Sequence, residues 1–163
     1  MIATSPVSRE HHARLTPHLA DLAATGDLVG TATGAELRAR LDVALEFLNG
    51  LLLPHLDAAE RAFYPELERL LQNVHSMTPM RHEHAEIRAL VADLGRRRAT
   101  LGDGPVGAGA SVAIRRDLFR LFDLLKVHLA EEQLYANLVE RGLTPEGTAA
   151  LAAAMEHDGI LHR

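Results

Sequence analysis

Apolar side chains recur at intervals of three and four residues through four long segments of this 163-residue chain. That spacing places them on one face of an α-helix, and no segment alternates polar and apolar residues as a half-buried β-strand does. A further short helix is expected near the C-terminus, because Thr144 and Pro145 have the residue types of a helix start. The pattern predicts an all-α fold: an up-down-up-down four-helix bundle with a short C-terminal fifth helix. The four long segments cover about residues 8–25, 34–73, 78–100 and 112–141.

Composition limits the class of protein and its partners. Hydrophobic residues make up 47% of the chain and charged residues 24%, which suits one globular domain over residues 1–163 with its core over about residues 9–141. The net charge of −5 gives no general attraction to nucleic acid or to an anionic membrane. No run is long enough to span a membrane, and the start, MIATSPVSREHH, lacks the apolar segment of a signal peptide. The absence of cysteine excludes disulfides, zinc–thiolate sites and iron–sulfur clusters, and a cytoplasmic location is expected.

Each of the four apolar stripes carries one histidine: His12, His55, His84 and His128. His12 and His55 are 43 residues apart and His84 and His128 are 44 apart, so each pair comes level in an antiparallel helical hairpin. A single histidine on such a stripe is typically a hydrogen-bonded core residue, but four at one depth would bury several imidazoles that need partners. A metal ion supplies the partner, and bundle interiors are a common place for metal sites.

The choice of histidine in the first segment stays open. His11 adjoins His12 and shares a helical stripe with His18, so either of these is an alternative. His12 is preferred because the apolar residues after it are spaced like those after His84. The remaining histidines are expected at the surface: His75, His82, His157 and His162.

Carboxylates in the fourth segment limit the metals that such a site would bind. Glu132 lies four residues after His128, so both side chains can face one ion from successive helical turns. Glu131, three residues after His128, is the alternative. Imidazole together with carboxylate suits iron, and also zinc, copper or nickel.

The second segment lacks an acid in the matching place. Ala59 stands one helical turn after His55, and the nearest acid, Glu60, is rotated by about 140° from His55 on an ideal helix. Pro54 can change the direction in which Glu60 points, because proline inside a helix removes a backbone hydrogen bond and clashes with the carbonyl four residues earlier. The result is either a simple kink in a long helix or a local distortion that turns Glu60 toward the site as a further ligand.

Taken together, these residues resemble the hemerythrin family, whose members are also called HHE cation-binding domains. The likeness covers about residues 9–141 and rests on EHHARL, PHLDAAERAFYPELERL, MRHEHAEIRALV and VHLAEEQLYANL. It implies a four-helix bundle around a non-haem iron pair and a small ligand: dioxygen, nitric oxide or peroxide. The ligands that it implies are His12, His55, His84 and His128, with Glu132 as a carboxylate able to bridge two irons.

The chain departs from the family pattern in three places. Ala59 stands where a bridging glutamate is usual, and Arg88 stands where the third helix of the family has a second histidine. The stretch EEQLYANL is one residue shorter than the family's usual spacing, so the choice between Glu131 and Glu132 stays open.

Two ferrous ions carry four positive charges. Glu132 alone leaves an excess of three, whereas adding Glu60 leaves an excess of two, which an oxo or hydroxo bridge offsets in full or in part. Two irons are therefore expected, or one if no second carboxylate binds.

Three functions fit these observations. The first is a non-haem iron protein that binds or reacts with dioxygen, nitric oxide or peroxide; whether it is an enzyme stays open, as does its oligomeric state. The second is an iron sensor or store in which bound metal stabilises the bundle. The third is a metal-free helical interaction module, which the alanine at position 59 favours.

Overall fold

A computed structural model describes the backbone of residues 6–160 and the side chains of residues 13–155. Within residues 6–160 no strand forms, although Thr33 and Pro105 make an isolated β-bridge. The all-α class predicted from the sequence is confirmed. No helix in this part of the chain has the length and apolar character needed to cross a membrane. The helices are α1 (Pro6–Leu28), α2 (residues 34–70), α3 (Thr78–Thr100), α4 (Ala108–Gly142) and α5 (Pro145–Ile160).

The first four helices form a bundle in which each helix packs against two neighbours. Helix α1 packs against α2 and α4, and α3 packs against the same two helices from the other side. Helix α5 packs across the middle of α2, over residues 53–63, and also contacts α1 and α4. Its start is as predicted: Pro145 is its first residue, and the hydroxyl of Thr144 accepts a hydrogen bond from the amide of Gly147 at 3.2 Å. The structure is thus a helical bundle with a short C-terminal helix.

Two π-helical turns interrupt α2, at Leu48–Leu52 and Ala59–Phe63. Each of them ends two residues before a proline, Pro54 or Pro65. The residue before each proline donates its amide hydrogen to the carbonyl five residues earlier, not four. Because proline clashes with the carbonyl four residues back, the wider turn relieves the clash without breaking the helix. The helix around Pro54 is therefore locally distorted.

The second π turn also shifts the buried face of α2 by one residue. The helical spacing predicts Ala62 on the core stripe, but Ala62 is only partly buried, and Phe63 is buried in its place. The face continues through Tyr64 and Leu67, both fully buried. A wide turn inserts one residue into the helical repeat, and every side chain after it is rotated accordingly.

The interior contains two apolar clusters with a band between them. The first cluster takes in α1 and the adjoining ends of the other helices as far as Leu56, Ile87 and Leu129. The second takes in α5 and begins at Ala58, Met80 and Ala136. Near these limits, buried polar side chains of α2, α3 and α4 form a layer across the bundle.

Helix α2 begins with a capping box. The Thr33 hydroxyl accepts a hydrogen bond from the amide of Glu36 at 3.3 Å, and the Glu36 carboxylate accepts one from the amide of Thr33 at 2.8 Å. The next residue, Gly34, lies so close to the loop before α4 that a β-carbon would sit 2.1 Å from the carbonyl oxygen of Gly102. The cap therefore sits where the helix and this loop are packed together.

Replacing Thr33 by alanine should lower the free energy of unfolding by about 0.5–2 kcal/mol, because an N-terminal amide of α2 loses its acceptor. Urea denaturation of the metal-free protein measures this loss. Glu36→Ala breaks the other half of the box and should have an effect in the same direction. The double variant should lose less than the sum of the two, and strict additivity would show that the two halves of the box do not depend on each other.

Candidate metal centre

The layer between the two apolar clusters is polar and buried. His55 comes from α2, His84 from α3, and His128 and Glu132 from α4. His84 and His128 have no exposed surface, and His55 and Glu132 are 4% and 2% exposed. Buried polar groups require partners inside the protein, so the contacts within this layer determine what it can bind.

His84 and His128 face each other through the same ring atom. Their Nε2 atoms lie 3.1 Å apart, and the rings meet edge to face with centroids 4.8 Å apart. On the far side of each ring, Nδ1 contacts a carboxylate: His84 contacts Glu60 at 2.7 Å and His128 contacts Glu83 at 2.8 Å. A carboxylate accepts, so the proton of each ring is assigned to Nδ1 and the lone pairs of the two Nε2 atoms point toward each other.

Two facing lone pairs repel, and a hydrogen-bond donor, a proton or a metal ion beside the two Nε2 atoms relieves that repulsion. Burial, followed by the nearby charge of His128, lowers the pKa of His84 to about 4 and outweighs the effect of the hydrogen bond that His84 donates to Glu60. His84 is therefore a neutral imidazole at pH 7, the form in which histidine binds metals.

Tyr64 completes this side of the layer, and the sequence pattern does not predict it. Its hydroxyl lies 2.8 Å from Nε2 of His84, and the two rings stack with centroids 5.2 Å apart. Burial, reinforced by the charges of Glu132 and Glu60, raises the pKa of Tyr64 far above its ordinary value. The phenol therefore keeps its proton and donates a hydrogen bond to Nε2 of His84.

His55 and Glu132 form the other half of the layer. Nε2 of His55 lies 2.9 Å from Oε2 of Glu132, and this contact joins α2 to α4 across the interior. The charge of Glu132 also acts on His84 and Tyr64, which ties the two halves together electrostatically. Of the two glutamates that the sequence left open, Glu132 points into the bundle, whereas Glu131 is partly exposed.

Glu60 lies at the edge of the layer. It belongs to the π turn Ala59–Phe63, and its side chain is 30% exposed. It contacts His84 on Nδ1, the side away from Nε2, and it also pairs with Arg88 at 2.9 Å. Burial raises the pKa of Glu60, but the hydrogen bonds from Arg88 and His84 outweigh it and bring the pKa below its ordinary value, so Glu60 is charged. Ala59 beside it is fully buried.

Helix α1 carries three histidines. The side chains of His11 and His12 lie outside the described residues. His18 is half-buried and stacks on Phe47 with ring centroids 4.3 Å apart, and its Nδ1 lies 3.9 Å from Asp21. His18 therefore has partners outside the layer. His75 and His82 are exposed, as the sequence predicts.

Sequence reasoning missed Tyr64 and Glu83 for a physical reason. Tyr64 points inward because of the one-residue shift at the π turn, for which Pro65 is the only sequence signal. Glu83 reaches sideways from α3 to His128 on α4, and a pairing between helices depends on their spacing, not on the periodicity of either. The adjacency of Glu83 to His84 is visible in the sequence, but it does not reveal which ring the carboxylate contacts.

The donor chemistry of the layer fits a transition-metal ion. Imidazoles and a carboxylate are ligands that iron, zinc, copper and nickel accept. In the structure these donors contact each other directly, and no three histidine, aspartate or glutamate side chains among residues 13–155 are spaced around a common point as in an assembled metal site. The residues therefore fit a metal by their chemistry and by their shared burial.

Comparison with known proteins leads to the same kind of site. A family model described as the hemerythrin HHE cation binding domain matches residues 6–159, nearly the whole chain. Among curated proteins and among solved structures, no match was found. The family match and the buried layer of histidine and glutamate side chains agree on a cation-binding helical bundle. The chain belongs to the hemerythrin HHE cation-binding family.

Proposed function

We propose that this protein binds iron in the polar layer through His55, through Nε2 of His84 and of His128, and through the carboxylate of Glu132. The observation that carries the proposal is the approach of two buried Nε2 atoms to 3.1 Å, each with its Nδ1 atom on a carboxylate. A cation near these lone pairs removes their repulsion. His12, predicted from the sequence, is retained as the contribution of α1. Glu60 is not included among these ligands, because its carboxylate hydrogen-bonds Nδ1 of His84.

The surroundings of the layer support a small and uncharged or weakly charged ligand. Iron bound there would supply an open coordination position and a change between ferrous and ferric states, which dioxygen, nitric oxide or peroxide chemistry requires. Apolar clusters lie on both sides of the layer and exclude bulk water. Tyr64 holds a proton beside Nε2 of His84 and can donate a hydrogen bond within the site. Binding or conversion of such a small molecule is the proposed activity, and the cytoplasmic location stays a prediction.

The number of ions follows from the charge of the layer. Three described carboxylates each contact one of these histidines. Glu132, which contacts His55, is buried, whereas Glu60 and Glu83 are partly exposed. With Glu132 as the one carboxylate ligand, a single ferrous ion leaves an excess of one positive charge and two ferrous ions leave an excess of three. Two ions therefore need more additional negative charge, for example from a solvent-derived bridge, than one ion does.

Metal analysis of protein purified without oxygen tests the proposal. One or two irons per chain are expected, with near-ultraviolet absorption appearing when air is admitted. A chain that holds iron but loses much of its helix content when stripped would favour the iron sensor or store. Zinc or copper in place of iron, retained after ferrous reconstitution, would contradict the choice of metal. A chain that takes up no metal at all would leave the metal-free interaction module.

A further inference from the structure

A chain of ion pairs leads from the surface to His84. Nη2 of Arg88 donates to Asp57 at 2.5 Å, and Nη1 of Arg88 donates to Oε1 of Glu60 at 2.9 Å. The same oxygen of Glu60 accepts a hydrogen bond from Nδ1 of His84 at 2.7 Å. The exposed fraction of the side chains falls from 52% for Asp57 to 34% for Arg88 and 30% for Glu60, and it is zero for His84. A solvent-facing carboxylate is thus connected to a buried imidazole.

Glu60 is held at Nδ1 of His84, whereas Nε2 of the same ring faces His128. The two ring nitrogens of an imidazole point in different directions, so a carboxylate bonded to Nδ1 cannot also reach an ion on Nε2. If Glu60 turned toward Nε2, the fully buried N–H of His84 would lose its acceptor and Arg88 would lose one of its two carboxylates. A buried donor without an acceptor is strongly unfavourable.

We infer that Arg88 and Glu60 form a positioning pair for His84, in which Arg88 holds Glu60 on Nδ1 so that His84 presents Nε2 to the metal. The inference rests on the proposed function in taking His84 as a metal ligand. Glu60 fixes the tautomer and the ring orientation of His84 and makes its Nε2 a stronger donor. Arg88, one helical turn after His84, fixes Glu60 in turn. The pair thereby keeps Glu60 outside the ligand set.

Ferrous ion titration without oxygen separates positioning from ligation. Glu60→Leu, which removes the acceptor, should lower the affinity for ferrous ion about 10–100-fold while the number of ions per chain stays that of the wild type. Glu60→Gln should lose less, because its amide oxygen still accepts from Nδ1. Arg88→Met should change affinity in the same direction as Glu60→Leu. The matched control is Glu86→Gln, on the same helix as Arg88, whose carboxylate pairs with Arg120 at the surface and whose loss should change nothing.

The tautomer of His84 provides a second readout that needs no metal. Nitrogen NMR of the ¹⁵N-histidine-labelled, metal-free protein should assign the proton of His84 to Nδ1 in the wild type. In Glu60→Leu part of the population should carry it on Nε2. This measurement tests the positioning pair even if the wild type binds no iron and the proposed function fails.

Two results would overturn the inference. If both Glu60 variants bind fewer ions per chain while the tautomer of His84 is unchanged, Glu60 is a ligand. If affinity, stoichiometry and tautomer all remain those of the wild type in Glu60→Leu and Arg88→Met, the pair is a surface salt bridge without influence on the site.

Discussion

His128→Ala should lower the affinity for ferrous ion by more than about 100-fold, beyond the range typical of changes outside the ligand set. The variant removes one of the two Nε2 atoms that meet at 3.1 Å and leaves Glu83 without its ring partner. Titration with ferrous ion in the absence of oxygen measures the loss, and metal per chain in the purified variant checks it independently.

The matched control for this variant is His82→Ala. His82 is an exposed histidine on α3, two residues before His84, and it faces away from the layer. Its replacement should leave iron binding unchanged. Helix content measured by circular dichroism shows whether each variant still folds, and His128→Gln repeats the test with a polar side chain. Wild-type affinity in a folded His128→Ala chain would remove His128 from the ligand set.

The fold could be predicted from the sequence because helical periodicity is a local property. The third stripe is an example: Met77, Met80, His84, Ile87, Val91 and Leu94 are all buried as their spacing requires. The start of α4 was less predictable. Glycines in LGDGPVGAGAS indicate a linker, yet α4 begins at Ala108 and includes Gly109. The cost of one glycine in a helix is about 1 kcal/mol, which a long packed helix readily offsets.

The site could be predicted only where it follows the same periodicity. His84, His128 and Glu132 lie on regular helices, and their burial follows from their position on a stripe. Tyr64 lies beyond a π turn, where the repeat of 3.6 residues fails. The contact of Glu60 with Nδ1 of His84 depends on the distance and rotation between α2 and α3, which no single segment encodes.

Ala59 illustrates what a departure from a family pattern can and cannot reveal. The missing carboxylate is evident from the sequence, and Glu60 is the nearest acid in the chain. The distortion expected near Pro54 exists, as two π turns. It does not bring Glu60 to the Nε2 side of His84, because Arg88 and the N–H of His84 together bind the same carboxylate oxygen. Charge pairing between helices therefore determines where Glu60 lies.

Leu121→Ala should lower the free energy of unfolding by about 2–5 kcal/mol, because it opens a cavity in the first apolar cluster. Leu121 is fully buried on α4, two helical turns before His128. Urea denaturation of the metal-free protein measures the change, and the midpoint should fall with the slope of the transition unchanged. Iron affinity should change far less than in His128→Ala, since Leu121 contributes no ligand atom.

Leu134→Ala on the same helix is the matched control, since it makes the same chemical change at a side chain that is 69% exposed. It should alter the free energy of unfolding by less than about 0.5 kcal/mol. A loss as large as that of Leu121→Ala would mean that the outer face of α4 is covered in solution, for instance by a second copy of the chain, and its dependence on protein concentration would then identify the contact. A small loss at Leu121 would instead mean that the first cluster closes around the cavity, and the packing of the bundle would be looser than the complete burial of its leucines indicates.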